Sequence, residues 1–152
     1  MEIKNIINSI EDVYKGSPWY GNNLSEVLDS ITVSNPNASF NGSNSLGQIL
    51  EHMIQWKKLV IEKLNGNEFF DIEMNSIQDW NKRKMYSKEE FIELIRQFKN
   101  MSEKLIDSLK KENDSLLQKI VPGRKYNFKT MLEGIIQHDL YHSGQLSLLK
   151  RG

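Results

Sequence analysis

The chain contains no cysteine. Disulfides, thiolate metal sites and cysteine nucleophiles are therefore excluded together, and any metal chemistry must rest on histidine and carboxylate groups. Net charge is absent as well, with 20 Lys and Arg balanced by 20 Asp and Glu. Without a basic surplus, sequence-independent phosphate binding has no driving force, so nucleic acid is not an expected partner. Lys82-Arg83-Lys84 and Lys150-Arg151 are short clusters that read as solvated surface. No stretch approaches the roughly 20 apolar residues that cross a bilayer. The first residues, Met1 to Tyr14, carry acids at Glu2, Glu11 and Asp12 and resemble neither a secretory signal nor an anchor. A cytoplasmic protein with no membrane partner is the expectation. Internal repeats and low-complexity segments are also lacking. The length of 152 residues suits one hydrophobic core, so residues 1–152 read as a single domain.

What is present is helical periodicity. Ile3, Ile6, Ile7, Ile10 and Tyr14 form one stripe of a first helix over about residues 2–15, which Gly16 and Pro18 end. A short helix at Leu24 to Ser30 follows, then a polar connection from Ser34 to Asn44 with Pro36 and Gly42. Ser45-Leu46-Gly47-Gln48 has the spacing of a capping box, in which a serine hydroxyl and a glutamine side chain satisfy unpaired amides at a helix start. The helix it opens carries Leu46, Ile49, Leu50, Met53, Trp56, Leu59, Val60 and Leu64 and stops at Asn65-Gly66-Asn67. Phe69 to Tyr86 lacks sustained periodicity and reads as a crossover loop with about one helical turn. A second capping box, Ser87-Lys88-Glu89-Glu90, opens a helix predicted to run to about Asn113. After a turn at Val121-Pro122-Gly123-Arg124, a last helix begins at Phe128. Four long helices and no convincing strand predict an all-α fold, an antiparallel four-helix bundle.

All three histidines fall on inward stripes. His138 and His142 are four residues apart, so they project from one helix face a turn apart, in a seam with Met131, Ile135, Gln145 and Leu149. His52 is in register with Ile49, Trp56 and Leu59. An isolated histidine on an apolar face is usually a neutral, hydrogen-bonded core residue. Three imidazoles buried separately would each need its own partners, at about 1 to 3 kcal/mol for every unsatisfied group. A shared metal answers all three at once. The residue after His138 is Asp139 rather than glutamate, so His-Asp-Leu-Tyr-His lacks the general base of a zincin peptidase. Three imidazoles leave coordination positions for water or substrate, and imidazole suits zinc, nickel, iron or manganese.

The run Gly134-Ile135-Ile136-Gln137-His138-Asp139-Leu140-Tyr141-His142-Ser143-Gly144-Gln145-Leu146 resembles the last-helix signature of the DinB-like (YfiT-like) metalloprotein superfamily. Trp19-Tyr20-Gly21, the histidine in Leu50-Glu51-His52-Met53-Ile54-Gln55-Trp56, and Asp79-Trp80 extend the resemblance over nearly the whole chain. The resemblance implies a four-helix bundle with a three-histidine metal site, which falls here on His52, His138 and His142, and a homodimer. It leaves the reaction open, since relatives include thiol-dependent S-transferases and isomerases, suspected hydrolases and members without assigned activity.

Two functions follow. In the first, a metal-dependent enzyme lowers the pKa of a bound low-molecular-weight thiol or water. Any thiol must arrive as a cosubstrate. Trp19, Tyr20, Trp56 and Tyr141 are candidates for the wall of a small-molecule pocket, and Gln145 for orienting a ligand or water. Aromatic core packing accounts for the four rings as well. Asp139 and Glu51 are expected to point off the seam, as surface charges or supporting contacts. In the second, the chain is a non-catalytic, stress-related bundle that binds a metal or ligand.

Overall fold

A computed structural model describes residues 1–82 and 84–150. Arg83 and Arg151, which complete the two basic clusters, lie outside the described residues. Among the described residues the fold is all-helical, with α1 Glu2–Lys15, α2 Leu24–Ile31, α3 Leu46–Leu64, α4 Lys88–Leu109, α5 Ser115–Gln118 and α6 Phe128–Leu149. Among the described residues no helix is long and apolar enough to cross a membrane.

Both capping boxes form as the sequence spacing requires. The Ser45 and Ser87 hydroxyls accept from the backbone N–H of Gln48 and Glu90, whose side chains accept in return from the serine amides. The first helix is capped from far away: the Asp114 carboxylate accepts from the N–H groups of Glu2 and Ile3, at 3.2 and 2.9 Å. Those contacts hold its pKa below the usual carboxylate value, which suits an anion at a helix N-terminus. The same residue explains why α4 is shorter than its periodicity predicts. The chain leaves the helix at Leu109, turns so that Asp114 reaches α1, and then makes the four-residue α5, too short to announce itself by periodicity. The Val121–Arg124 turn forms with Gly123 at φ +75°, a conformation that favours glycine. Among its described residues, the crossover over 69–86 contains turns and no helix.

Helix α3 packs against α4 and α6, and α1 packs against α2, α4 and α6. Two apolar clusters result. One joins α1, the Leu59–Val60 end of α3, the Leu105–Leu109 end of α4, α5 and the Phe128–Ile135 end of α6. The other joins α2, the Leu46–Ile54 part of α3, the Phe91–Phe98 part of α4 and Leu146. Where the two meet, the interior is polar: His52, Lys57, Ser102, Asp139 and His142 are all buried there.

Candidate metal centre

The middle of α3 and the middle of α6 bring the three histidines together. Their ring centroids lie 4.9 Å apart for His52 and His138, 4.8 Å for His52 and His142, and 4.5 Å for His138 and His142. One nitrogen from each ring falls within 4.8 Å of the others. Nitrogens bound to one ion at about 2.1 Å sit roughly 3 to 4 Å apart, so small rotations of the rings suffice to close on it.

Proton positions are fixed by what each ring touches on its outer side. His52 Nδ1 lies 2.9 Å from both the carbonyl oxygen and Oδ1 of Asp79, which only accept, so Nδ1 carries the hydrogen and Nε2 turns its lone pair inward. His142 Nδ1 lies 2.6 Å from Gln145 Oε1, which fixes the same tautomer there. His138 Nε2 is 2.9 Å from His52 Nε2, and its own Nδ1 is buried without a hydrogen-bond partner among the described residues. Two inward lone pairs and one shared proton leave this set under-satisfied. A divalent cation would take the three inward lone pairs and remove the crowding of Nε2 against Nε2, with His138 Nδ1 then carrying that ring's hydrogen, so the donor set fits a metal.

Burial also keeps the rings neutral, the form that ligates. Desolvation pushes all three pKa values down, for His138 to about 3, where the neighbouring His142, His52 and Lys57 add to the effect. The Asp79 contacts oppose the shift at His52, and the Gln145 contact opposes it at His142.

Around the histidines stands a shell that periodicity did not reveal. Asp79 holds His52, accepts from Trp56 Nε1 at 2.8 Å through Oδ1, and accepts from the Asn75 amide at 2.7 Å through Oδ2. Asn75 is left-handed, at φ +63°, a conformation asparagine tolerates, and that tight turn aims its N–H at the carboxylate. Trp80 lies flat on His52, with centroids 3.7 Å apart and planes at 7°. The Asp79-Trp80 pair in an aperiodic loop was visible in the sequence, but its task was not.

Lys57, Ser102 and Asp139 form the rest of the polar layer. Lys57 Nζ donates to Asp139 Oδ2 at 2.6 Å and to Ser102 Oγ at 3.2 Å, and sits 4.5 Å from the Phe98 ring centre. Asp139 Oδ1 is buried without a partner among the described residues. Asp139 was expected off the seam, as surface charge or support; it is instead buried and paired across α3 and α6. The lysine was missed because a lysine in a helix register reads as solvated. Glu51 does lie off the site, accepting from the Tyr86 hydroxyl and facing Lys84 at 3.9 Å.

The pocket candidates separate. Trp56 meets the His138 ring at 6.2 Å and, with Leu59, Val60, Met131, Ile135 and His138, lines an apolar cavity of about 270 Å³. Gln145 touches His142 directly. Tyr141 is mostly exposed but sets its ring edge-on to His142 at 5.0 Å. Trp19 is wholly exposed, and Tyr20 lines a different recess with Asn22, Leu140 and Lys150.

A sequence profile of the DinB superfamily matches residues 20–146, a span that takes in all three histidines and the two residues that contact their outer nitrogens, Asp79 and Gln145. The chain belongs to the DinB superfamily. No curated protein and no solved structure gives a significant match. This DinB protein thus carries a buried cluster of three histidines able to hold a metal ion.

Proposed function

We propose that His52, His138 and His142 hold one divalent metal ion and that the protein is a metal-dependent enzyme acting on a small molecule, of the S-transferase or hydrolase type. The observation that carries this reading is the convergence of neutral imidazole nitrogens, two of them with their outer nitrogens tied to Asp79 and Gln145. Bound there, zinc, nickel, iron or manganese would lower the pKa of a low-molecular-weight thiol or of water and so supply a nucleophile at neutral pH. The residues of the chain do the remainder. Asp79 and Gln145 fix the tautomers and ring orientations. Trp80 shields one face of His52 from water. The apolar cavity between Trp56 and His138 offers a place for the body of an electrophile.

The same reading makes the chain one domain whose four long helices form an antiparallel bundle. The order of contacts between α3 and α6 supports it. Ile49 shares a recess with Gln145 and Leu149, His52 meets His138 and His142, and Leu59 shares a cavity with Met131, so one helix ascends as the other descends. Exposed Trp19, Tyr20 and Tyr141 would suit a homodimer surface. Cytoplasmic location belongs to the same proposal.

The test is turnover by zinc-, nickel- or manganese-loaded protein. Cysteamine or glutathione with 1-chloro-2,4-dinitrobenzene reads thiol transfer, and p-nitrophenyl acetate reads hydrolysis. Turnover lost in His142→Ala supports the enzyme. A loaded protein that turns over neither would leave the non-catalytic binding bundle.

A further inference from the structure

One turn beyond His142 on α6, a second recess of about 470 Å³ lies between the loop over 38–44 and the C-terminal end of α6. That volume lies within the roughly 300 to 1,000 Å³ of small-molecule sites. Its walls are largely apolar, from Phe40, Ile49, Leu148 and Leu149. Phe40 and Leu148 stand 72% and 74% exposed, so the recess is reached from solvent at an apolar rim.

Three polar side chains, Ser39, Ser43 and Asn44, share the recess with Gln145, and no charged side chain lines it among the described residues. Gln145 gives it direction. Its oxygen is taken by His142 Nδ1–H at 2.6 Å, so its amino group is the end left over, and that group makes no hydrogen bond among the described residues. A ligand that engages this group must bring an acceptor. Among the described residues that line the recess, a carboxylate would find no counter-ion, which is costly.

We propose that this recess binds an uncharged, mostly apolar small molecule bearing an amide, ester or ketone oxygen, which accepts from the Gln145 amino group. Occupation is felt at His142, because both ends of one amide are then engaged. The step to His142 shares with the metal-centre reading the assignment of Nδ1 as the protonated nitrogen; binding in the recess does not.

The probe is N-hexylacetamide, titrated into the ¹⁵N-labelled full chain with and without zinc and followed by two-dimensional NMR. Saturable shifts are expected for residues 38–44 and 145–149, for the Gln145 side-chain amide and for the His142 ring nitrogens. Leu148→Trp, at an exposed rim position, should weaken binding at least tenfold by filling the recess. Gln145→Glu keeps an oxygen for His142 and removes the donor; one lost hydrogen bond corresponds to about tenfold. Hexylammonium should bind at least tenfold more weakly than the amide. Absence of saturation, shifts confined to the Trp56–His138 cavity, or undiminished binding by both variants would overturn the proposal. Zinc uptake by the same samples separates the two readings: uptake without recess binding refutes this site alone, and recess binding without uptake refutes the metal centre alone.

Discussion

Replacing Lys57 with methionine strips the buried Asp139 carboxylate of its counter-charge. The two side chains are 1% and 7% exposed and 2.6 Å apart, and Asp139 Oδ1 already lacks a partner among the described residues, so water cannot take the place of the ammonium group without opening the interior. Breaking a buried pair of this kind costs about 3 to 5 kcal/mol, a large share of the roughly 5 to 15 kcal/mol that holds a domain folded. In urea, with a slope of at most about 3 kcal/mol per molar, the midpoint should fall by at least about 1 M. Lys57→Met combined with Asp139→Leu should recover most of the loss, because two apolar groups leave no charge behind. The deficit of the single variant should also depend on pH. Burial raises the Asp139 pKa and Lys57 opposes that rise, so without the lysine the carboxyl group protonates more readily in the folded state. A group with a raised folded pKa adds stability on the acid side and loses it as pH rises through that pKa. The difference between variant and parent should therefore shrink on acidification, by at most about 1.4 kcal/mol per pH unit. Equilibrium urea unfolding from pH 8 to pH 5, read by far-UV circular dichroism, measures both effects. A deficit under about 1 kcal/mol at pH 8, or one that stays constant on acidification, would refute the reasoning.

Asp79→Asn should reduce metal affinity about 10-fold while helicity is retained, since it removes the carboxylate charge beside His52 Nδ1 and leaves the backbone carbonyl in place; isothermal titration with zinc measures it, and unchanged affinity would count against that role. Metal-free protein should lose stability as pH falls below about 6.5, the unfolded histidine value. The folded pKa values are depressed, to about 3 for His138, so the unfolded chain gains more protons than the folded one in that window, at up to about 1.4 kcal/mol per pH unit and histidine. Urea midpoints that are flat between pH 7 and pH 5 would contradict this. Gly47→Ala would place a methyl group against the Tyr86 ring. Overpacking of this sort costs about 1 to 3 kcal/mol, and a thermal melt should show a drop of several degrees.

Periodicity made much of this molecule legible. The i, i+4 pair His138 and His142 and the in-register His52 needed only a helix to meet, and serine with glutamine or glutamate three residues on located two helix starts to the residue. What escaped had no period to betray it. Asp79 and Trp80 act from an irregular loop whose path is set by the Asn75 turn and by contacts with α3. Lys57 and Asp139 hide because each charge is tolerable in the interior only beside the other, and their pairing spans 82 positions of sequence. Asp114 ended α4 early through a partner at the other end of the chain.

Elemental analysis of gently purified protein, beside the His52→Ala and His138→Ala variants, bears most directly on the three-histidine centre. One divalent ion per chain in the parent and none in either variant, with far-UV helicity preserved, is the expected result. A parent chain that carries no ion and takes up none of zinc, nickel, iron or manganese would contradict the centre and, with it, the enzyme.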